Sequence, residues 1–569
     1  MKENPRLKKA TEAKNSAFKL AMLIAEHNLP FKFLEHLTKL LPALCPDSEI
    51  AKKVSCSRTK GRRLIVDVLG PERLEEAAFK LRTAKFSLII DETTDISTNK
   101  CLVMVARYFD DDTNEIRDRC VGLLEVPCCT AAALHSAIIE FLTLHQIPLT
   151  NMIGFAADSA SVMMGALNEI QAKLKEALPH LVVVGCLCHS FHLCASAACL
   201  QLPRTVEDLA RDIYSYFSHS PKRLAQFAGC QEIANLEPHR LLRPSQTRWL
   251  SLQAVVNRIL EQWPALIKFF EIAAIEDSLQ AANTIMYTLK NPMFKLYFSF
   301  LSYVLGLINR LNLEFQSRDS LLYCLLDRVM EVYRTLLKNY LKTEYVMKTS
   351  TQSIDPGNVR EYKPIEELYL GARVEAMLTG IQGYADEIRD FKLRTLSFYV
   401  ELCRQIKRRI KFNDPVLSAL SILNPKVATS GNIASVIPLA LLFPNLVKEE
   451  NMEELNSEWR LLPEVAELSS TSVNLSLVQF INKIGVIKNQ AETLMFPRLH
   501  CFMKSLACLP HSSEAKARNK LKVSTSNTLI LTKELLHKKA CYEWQPNSKL
   551  FEQEKKTKEI DIESDSDDS

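Results

Sequence analysis

Glycine is scarce, with only 14 in 569 residues. Tight all-β corners and phosphate-cradling loops depend on glycine's freedom at positive φ, so the shortage argues for many helices and against both features. Long apolar runs are missing as well. No stretch approaches the roughly 20 residues a membrane-spanning helix needs. The opening Met1-Lys-Glu-Asn-Pro-Arg6 is basic and carries a proline, unlike a secretory signal. An intracellular protein with no membrane partner and no small-molecule substrate is expected. Sixteen cysteines are present but form no framework, so they read as reduced thiols that mostly fill cores. A large excess of one charge is also lacking, and a net charge of +5 does not by itself mark a nucleic-acid binder.

What is present points to a large soluble protein. The length suits two or three domains, and 47% hydrophobic with 24% charged residues fits a globular chain with a sizeable core. Charge is unevenly spread. The beginning is basic (Lys8-Lys9, Lys52-Lys53, Arg58-Thr-Lys60-Gly-Arg62-Arg63), and the end, Glu559 to Ser569, is acidic. The basic cluster reads either as a solvated face or as a phosphate contact. The acidic end has the composition of a disordered tail, with serines that suit acidophilic kinases.

Periodicity sets the organisation. Two helices flank Pro30, and a third spans Glu72–Thr83. Strands follow at Phe86–Ile90, Cys101–Phe109 and Arg117–Val126, with Asp110-Asp-Asp-Thr-Asn114 as the turn between the last two. A helix over Thr130–Leu144, with Thr130 as its cap, precedes a strand at Met152–Ala156. A helix around Met163–Leu178 and a strand at Leu181–Gly185 come next. The order β-β-β-α-β-α-β is an RNase H-like topology. Residues 201–470 read as helical throughout, including segments at Leu252–Phe270, Met293–Leu311, Leu321–Leu341, Pro364–Leu378 and Asp390–Arg409. Long loops are expected near Met347–Val359 and Phe443–Asn456. Thr471–Leu536 reads as helical, broken by Pro497 and Pro510. The fold class is α/β: a mixed sheet interrupted by a large all-helical insertion. The expected domains are an N-terminal helical region (1–85), the first part of the core (86–200), the insertion (201–470), a C-terminal helical region (471–545) and an acidic tail (546–569).

Two apolar strands deliver acids: Phe86-Ser-Leu-Ile-Ile-Asp91-Glu-Thr-Thr-Asp95 and Met152-Ile-Gly-Phe-Ala-Ala-Asp158. A carboxylate at the end of a buried strand is costly and usually has a reason. Asp91 and Asp158, on neighbouring strands, read either as caps of strand-to-helix junctions or as a pair sharing a divalent metal, with Asp95 in reserve. Cys186-Leu-Cys188-His189-Ser-Phe-His192-Leu-Cys194 is rich in zinc-binding residue types, but its spacing matches no ordinary structural zinc site. Small buried thiols at a strand-to-helix junction are the alternative. Gln246-Thr-Arg248-Trp249-Leu opens a helix in which Trp249 is either core or, with Arg248, a grip on nucleic acid.

In order, the chain resembles a hAT-superfamily transposase, of the kind often fused to BED-type zinc fingers. The matching elements are Asp91-Glu-Thr-Thr-Asp95, Gly154-Phe-Ala-Ala-Asp158-Ser-Ala-Ser-Val-Met-Met-Gly165, Cys186-x-x-His189, Gln246-Thr-Arg-Trp-Leu-Ser251, Phe496-Pro-Arg-Leu, Leu509-Pro-His-Ser-Ser513 and Arg518-Asn-Lys-Leu521. The resemblance runs from about residue 15 to 545. It implies an RNase H-like core with a helical insertion, metal-dependent DNA cleavage and transfer with Mg²⁺ or Mn²⁺, a nuclear location, and a C-terminal dimerisation segment that makes a homo-oligomer. It puts Asp91 and Asp158 at the first two catalytic acid positions and Cys186 and His189 close to the site. Trp249 matches a tryptophan used near flipped or hairpin DNA.

Two departures shape the expectation. The segment that supplies the family's third acid is shortened: Ser512-Ser513 is followed by Glu514-Ala-Lys-Ala517 and then Arg518-Asn-Lys-Leu521. Glu514 is a poor substitute and is expected to stay outside metal-bridging reach, while Asp91 and Asp158 approach each other. Before residue 86 there is no zinc finger, only Cys45, Cys56, His27 and His36. The reading is a domesticated, catalytically inactive transposase-like protein that self-associates and acts on nucleic acid or chromatin. The alternatives are an active metal-dependent transposase or nuclease using Asp91 and Asp158, and a helical scaffold whose acids are relics.

Overall fold

The apolar run from Phe86 is flanked by partners on both sides, which makes it the centre of a five-stranded sheet. The computed structural model describes residues 5–94, 100–126, 130–157, 161–244, 249–276, 279–316, 320–432, 435–465, 468, 475–510, 523–534, 536 and 540–554. The strands are β1 (Phe86–Thr94), β2 (Lys100–Asp110), β3 (Glu115–Glu125), β4 (Met152–Ala157) and β5 (Val182–Gly185). Their order is β3-β2-β1-β4-β5. Pairs β1–β2 and β2–β3 are antiparallel, and β1–β4 and β4–β5 are parallel. This is the mixed sheet the sequence order implied.

β1 runs four residues past Ile90, where apolarity stops. Its extension Asp91–Thr94 pairs with β2, through Asp91↔Val103 to Thr94↔Lys100. Threonine favours strand backbone, a signal weaker than the acidic cluster beside it. The β2–β3 turn forms at Asp110–Asn114, with Asn114 at φ 50, a left-handed conformation that asparagine tolerates. Thr130 caps the next helix, its hydroxyl accepting from the Ala133 amide at 3.3 Å.

Both faces of the sheet are covered. On one face Phe86, Leu88, Ile90, Leu102, Met104, Phe155 and Ala157 form a core with helices Gly70–Thr83, Ala131–Leu144 and Ser161–Ala177. On the other, Cys101, Val103, Cys120 and Leu123 pack with Ile530 of the helix Val523–Glu534.

The chain divides into two compact units. One holds residues 1–185, 318–320 and 425–569, and the other holds Cys186–Ser317 and Leu321–Asn424. The helical stretch expected at 201–470 therefore contributes to both. The second unit is built on long helices at Trp249–Glu276, Pro292–Phe315, Leu322–Lys338 and Ala385–Arg409.

Three expectations are corrected. Pro364–Leu378 is not one helix. A 3-10 turn at Ile365–Glu367 is followed by extended chain and Gly371 at φ 100, and only Ala372–Leu378 is helical. There the backbone of Tyr369 is used elsewhere, its amide donating to Asn339 O at 3.0 Å and its carbonyl accepting from the Tyr399 hydroxyl at 2.8 Å. Phe443–Asn456 is not one long loop, because helix Met452–Leu461 begins within it. Pro497 starts a helix, Pro497–Ala507, instead of breaking one; proline at the first helical position loses no hydrogen bond.

The N-terminal helices Pro5–His27, Phe33–Leu44, Glu49–Lys53 and Arg58–Arg63 lead through a π-helical turn, Leu64–Leu69, into Gly70–Thr83. Their core, which includes Phe18, Met22, Ile24, Leu34, Cys56 and Ile65, is completed by Leu536, Cys541 and Leu550 from the other end of the chain. Phe551 meets Phe18 edge-on, with centroids 5.5 Å apart. Lys19 donates to Tyr542 O at 2.9 Å, and the Cys541 amide donates to Glu26 at 3.1 Å. Within residues 546–554, placed in the acidic tail by composition, Leu550 and Phe551 pack into this core. Asn547 accepts from the Leu550 amide at 3.1 Å, and residues 548–554 are helical. Phe18→Ala should lower the stability of this bundle by about 3–5 kcal/mol. Urea unfolding followed by Trp544 fluorescence should shift to lower denaturant, and limited proteolysis should release the chain beyond about residue 540.

Candidate functional site

Strand alternation places Ser87, Ile89 and Asp91 on the face of β1 opposite Phe86, Leu88 and Ile90. Asp91 is half-buried and pairs with Val103. On its other side, β1 and β4 run in parallel register through Leu88↔Phe155, Ile89↔Ala156 and Ile90↔Ala157. The last pair consists of the residues immediately before Asp91 and Asp158. The two carboxyl ends therefore lie side by side, the edge where open sheets with parallel strands commonly bind ligands. Asp158 itself lies outside the described residues, as do Asp95 and Glu514.

The C-terminal helices cover this same face. Lys504 pairs with Asp111, and its ammonium lies 5.0 Å from the Phe109 ring centre. The Cys508 thiol donates to Lys504 O at 3.2 Å. Burial pushes that thiol up to about 12, against the pull of the Arg107 guanidinium. Arg107 is itself buried and pairs with Asp118 at 3.2 Å. Next in the chain, Pro510 settles on β4: a β-carbon at Gly154 would lie 2.8 Å from Pro510 Cδ and would also meet the Ser87 hydroxyl. Gly154 and Ser87 are paired, so Pro510 stands four residues up the strand from Asp91, about 13 Å at 3.3 Å per residue. Glu514 comes four residues after Pro510, and extended chain spans at most about 14 Å over that length. Chain length alone does not keep Glu514 away from Asp91.

The other site residues singled out by sequence belong to the second unit. Cys186 caps the helix Leu187–Cys199, its sulfur accepting from the His189 amide at 3.4 Å. Cys188 donates to Asn312 O at 3.8 Å, and burial pushes the Cys194 thiol up to about 12. This cluster is a strand-to-helix junction with buried thiols, the simpler of the two sequence readings. It belongs to the second unit, whereas Asp91 belongs to the first. Trp249 opens the helix Trp249–Glu276, and Arg248 lies outside the described residues.

Sequence foresaw the basic cluster but not its assembly. Lys52, Lys53, Arg58 and Arg62 are exposed on two adjoining short helices, capped by Ser48 and Ser57. Lys9, from the first helix, joins them: with Lys52 and Lys53 it holds the Glu49 carboxyl below its ordinary range, the hydrogen bond from Lys52 being the main cause. Nothing in the periodicity announced that the segment 540–554 would pack beneath this surface.

Residues 47–169 match the family model described as ZMYM1/FAM200, RNase-like domain. That family is transposase-derived and related to the hAT group. The matched stretch takes in the basic helices, β1 to β4 and both strand-end aspartates. Among the described residues no group of three or more His, Cys, Asp or Glu side chains is placed to hold a metal ion. Asp91 is the one described carboxylate of the expected catalytic set. The described residues therefore do not by themselves make a divalent-metal site.

The contact at Gly154 is testable. Gly154→Val should displace Pro510 and cost about 1–3 kcal/mol through overpacking. Cys508, whose buried thiol should resist alkylation at pH 8 in the unmodified protein, should then be labelled, as read by peptide-mapping mass spectrometry.

Proposed function

We propose that this transposase-derived protein binds nucleic acid through its basic N-terminal helices, does not cut it, self-associates, and works in the nucleus. One observation carries the reading: the exposed cations of Glu49–Lys53 and Arg58–Arg63 lie inside the RNase-like match, immediately ahead of the sheet. Phosphate contacts of this kind supply sequence-independent affinity. The shortened segment after Ser513 supports the loss of cleavage, because removing a third acid weakens charge stabilisation in the transition state. Self-association is assigned to the C-terminal region, where Val486, Leu494 and Tyr542 are exposed.

The alternative is an active metal-dependent nuclease or transposase using Asp91 and Asp158 with Mg²⁺ or Mn²⁺. The placement of Pro510 on β4 favours it, since that contact starts the chain towards Glu514 from the face that carries Asp91.

Two measurements decide. For four or five phosphate contacts, DNA affinity should fall roughly 10²–10³-fold between 50 and 200 mM salt. The fourfold variant K52E/K53E/R58E/R62E should flatten that salt slope by about one unit per cation removed. Binding indifferent to salt or to the four charges would reject the assignment. Cleavage of terminal-repeat DNA dependent on Mg²⁺ or Mn²⁺ and abolished by Asp91→Asn would select the enzyme instead.

A further inference from the structure

The last described residues lie beside the basic helices Glu49–Lys53 and Arg58–Arg63. Glu554 is 5% exposed and sits at the end of a helical turn fixed by Leu550 in the core and by Phe551 against Phe18. Gln553 and Lys549 reinforce it, donating to the two carboxylate oxygens of Glu72 at 3.0 and 3.1 Å. Glu554 lies close enough to Cys56 to raise its thiol, while Lys60 lowers it; burial is the main cause of a value near 11. Cys56 Sγ is 3.5 Å from the β-carbon position of Gly61, inside the helix Arg58–Arg63. The end of the described chain and the basic helix thus meet around one buried cysteine.

The stretch beyond Glu554 ends in the opposite charge. After Lys555-Lys-Thr-Lys558, residues 559–569 carry six carboxylates (Glu559, Asp561, Glu563, Asp565, Asp567 and Asp568) and no cation. Residues 49–67 carry six cations (Lys52, Lys53, Arg58, Lys60, Arg62 and Arg63) against two acids, Glu49 and Asp67. Glu49 pairs with Lys52 at 3.1 Å, and Asp67 with Arg63 at 4.0 Å. Fourteen residues separate Glu554 from Asp568, a contour of up to about 50 Å. That length spans two adjoining helices of five and six residues. A short tether gives its end an effective concentration in about the millimolar range. At that concentration, several weak ion pairs act together where one exposed pair contributes almost nothing.

We propose that residues 559–569 dock on the basic face of helices Glu49–Lys53 and Arg58–Arg63, occupying the surface that nucleic-acid phosphates would otherwise take. The competition, though not the docking, rests on the nucleic-acid reading given above. Ser564, Ser566 and Ser569 lie within the acidic run. A phosphate on any of them adds about −1.5 to −2 charges and tightens the contact.

The test uses the full chain and has two arms. Carbodiimide coupling at 50 mM salt, read by mass spectrometry, should join Lys52, Lys53 or Lys60 to carboxylates of 559–568. Those links should vanish at 500 mM salt, where screening is short-ranged. Links from the acidic run to other lysines only, or none, would overturn the docking. In the second arm, duplex DNA binding is compared between the full chain and a variant in which all six acids are replaced by their amides. The amide variant keeps the chain length and the Glu554 anchor. Its affinity should rise about 5–20-fold at 50 mM salt, an effect of the size expected for a tethered competitor. Equal affinities, with the links present, would overturn the competition. Links present while neither form binds DNA would uphold the docking and sink the nucleic-acid function instead.

Discussion

The parallel pairing of β1 with β4 is the interaction on which the candidate site depends. Side chains alternate along a strand, so a slip of one residue would carry Asp91 to the face occupied by Phe86, Leu88 and Ile90. That face is filled by the core packed under three helices, where an unpaired carboxylate would be heavily penalised. The register Ile90↔Ala157 is therefore held by apolar residues one step before each acid. Burial of Leu88, Ile90, Phe155 and Ala157 specifies where Asp91 points. The site and the core are, in this sense, the same fact read from two faces of one sheet.

The second face shows how the ends of the chain complete the first unit. Helices Pro497–Ala507 and Val523–Glu534 lie on the sheet, and the segment 540–554 then closes the N-terminal bundle. A short basic bundle has little core of its own, since each helix of five or six residues offers only a residue or two inward: Ala51 from one and Gly61 from the next. Leu536, Cys541, Leu550 and Phe551 supply apolar area that these helices lack. At roughly 1.5–3 kcal/mol for a fully buried large apolar side chain, the contribution from the distant end is a substantial share of what holds the cations in place.

Much of this was legible in the sequence. Apolar runs at Phe86–Ile90 and Met152–Ala156, and the turn Asp110–Asn114, marked the strands because a sheet buried on both faces writes itself as continuous hydrophobicity. Thr130 marked a cap. What stayed hidden shares one property: the deciding partner is far away in sequence. Tyr369 leaves a helical pattern because Asn339 and Tyr399 take up its backbone. Residues 546–554 look like the start of an acidic tail, and are anchored because Phe18 receives Phe551 and Glu72 receives Gln553. The aspartates were visible as candidates, since a strand ending in a carboxylate is a local pattern. The contacts farther down the face that carries Asp91, Arg107 with Asp118 and Pro510 over Gly154, were not. Gly154 is instructive here. Within the motif it looked like one more matching letter, whereas in the fold it is the one residue type that lets Pro510 approach β4.

This arrangement gives the C-terminal region two demands to meet. In the resemblance that the sequence carries, the region joins one copy of the protein to another. In the structure its apolar residues are spent within the chain: Ile530 on the sheet, Leu531 and Leu536 buried, Leu550 and Phe551 on the N-terminal helices. A residue that is buried in its own subunit cannot also be buried between two. Association that leaves this fold intact must therefore use the exposed remainder, such as Val486, Leu494 and Tyr542. Association that exchanges the C-terminal helices between copies would keep every one of these contacts and change only the chain that supplies them, which is the low-cost route to a dimer by domain swapping. In the swapped case the anchor at Glu554 moves with the helices, so each N-terminal bundle would be completed by segment 540–554 of the other subunit. A swap of that kind would couple self-association to the footing of the basic helices through one segment.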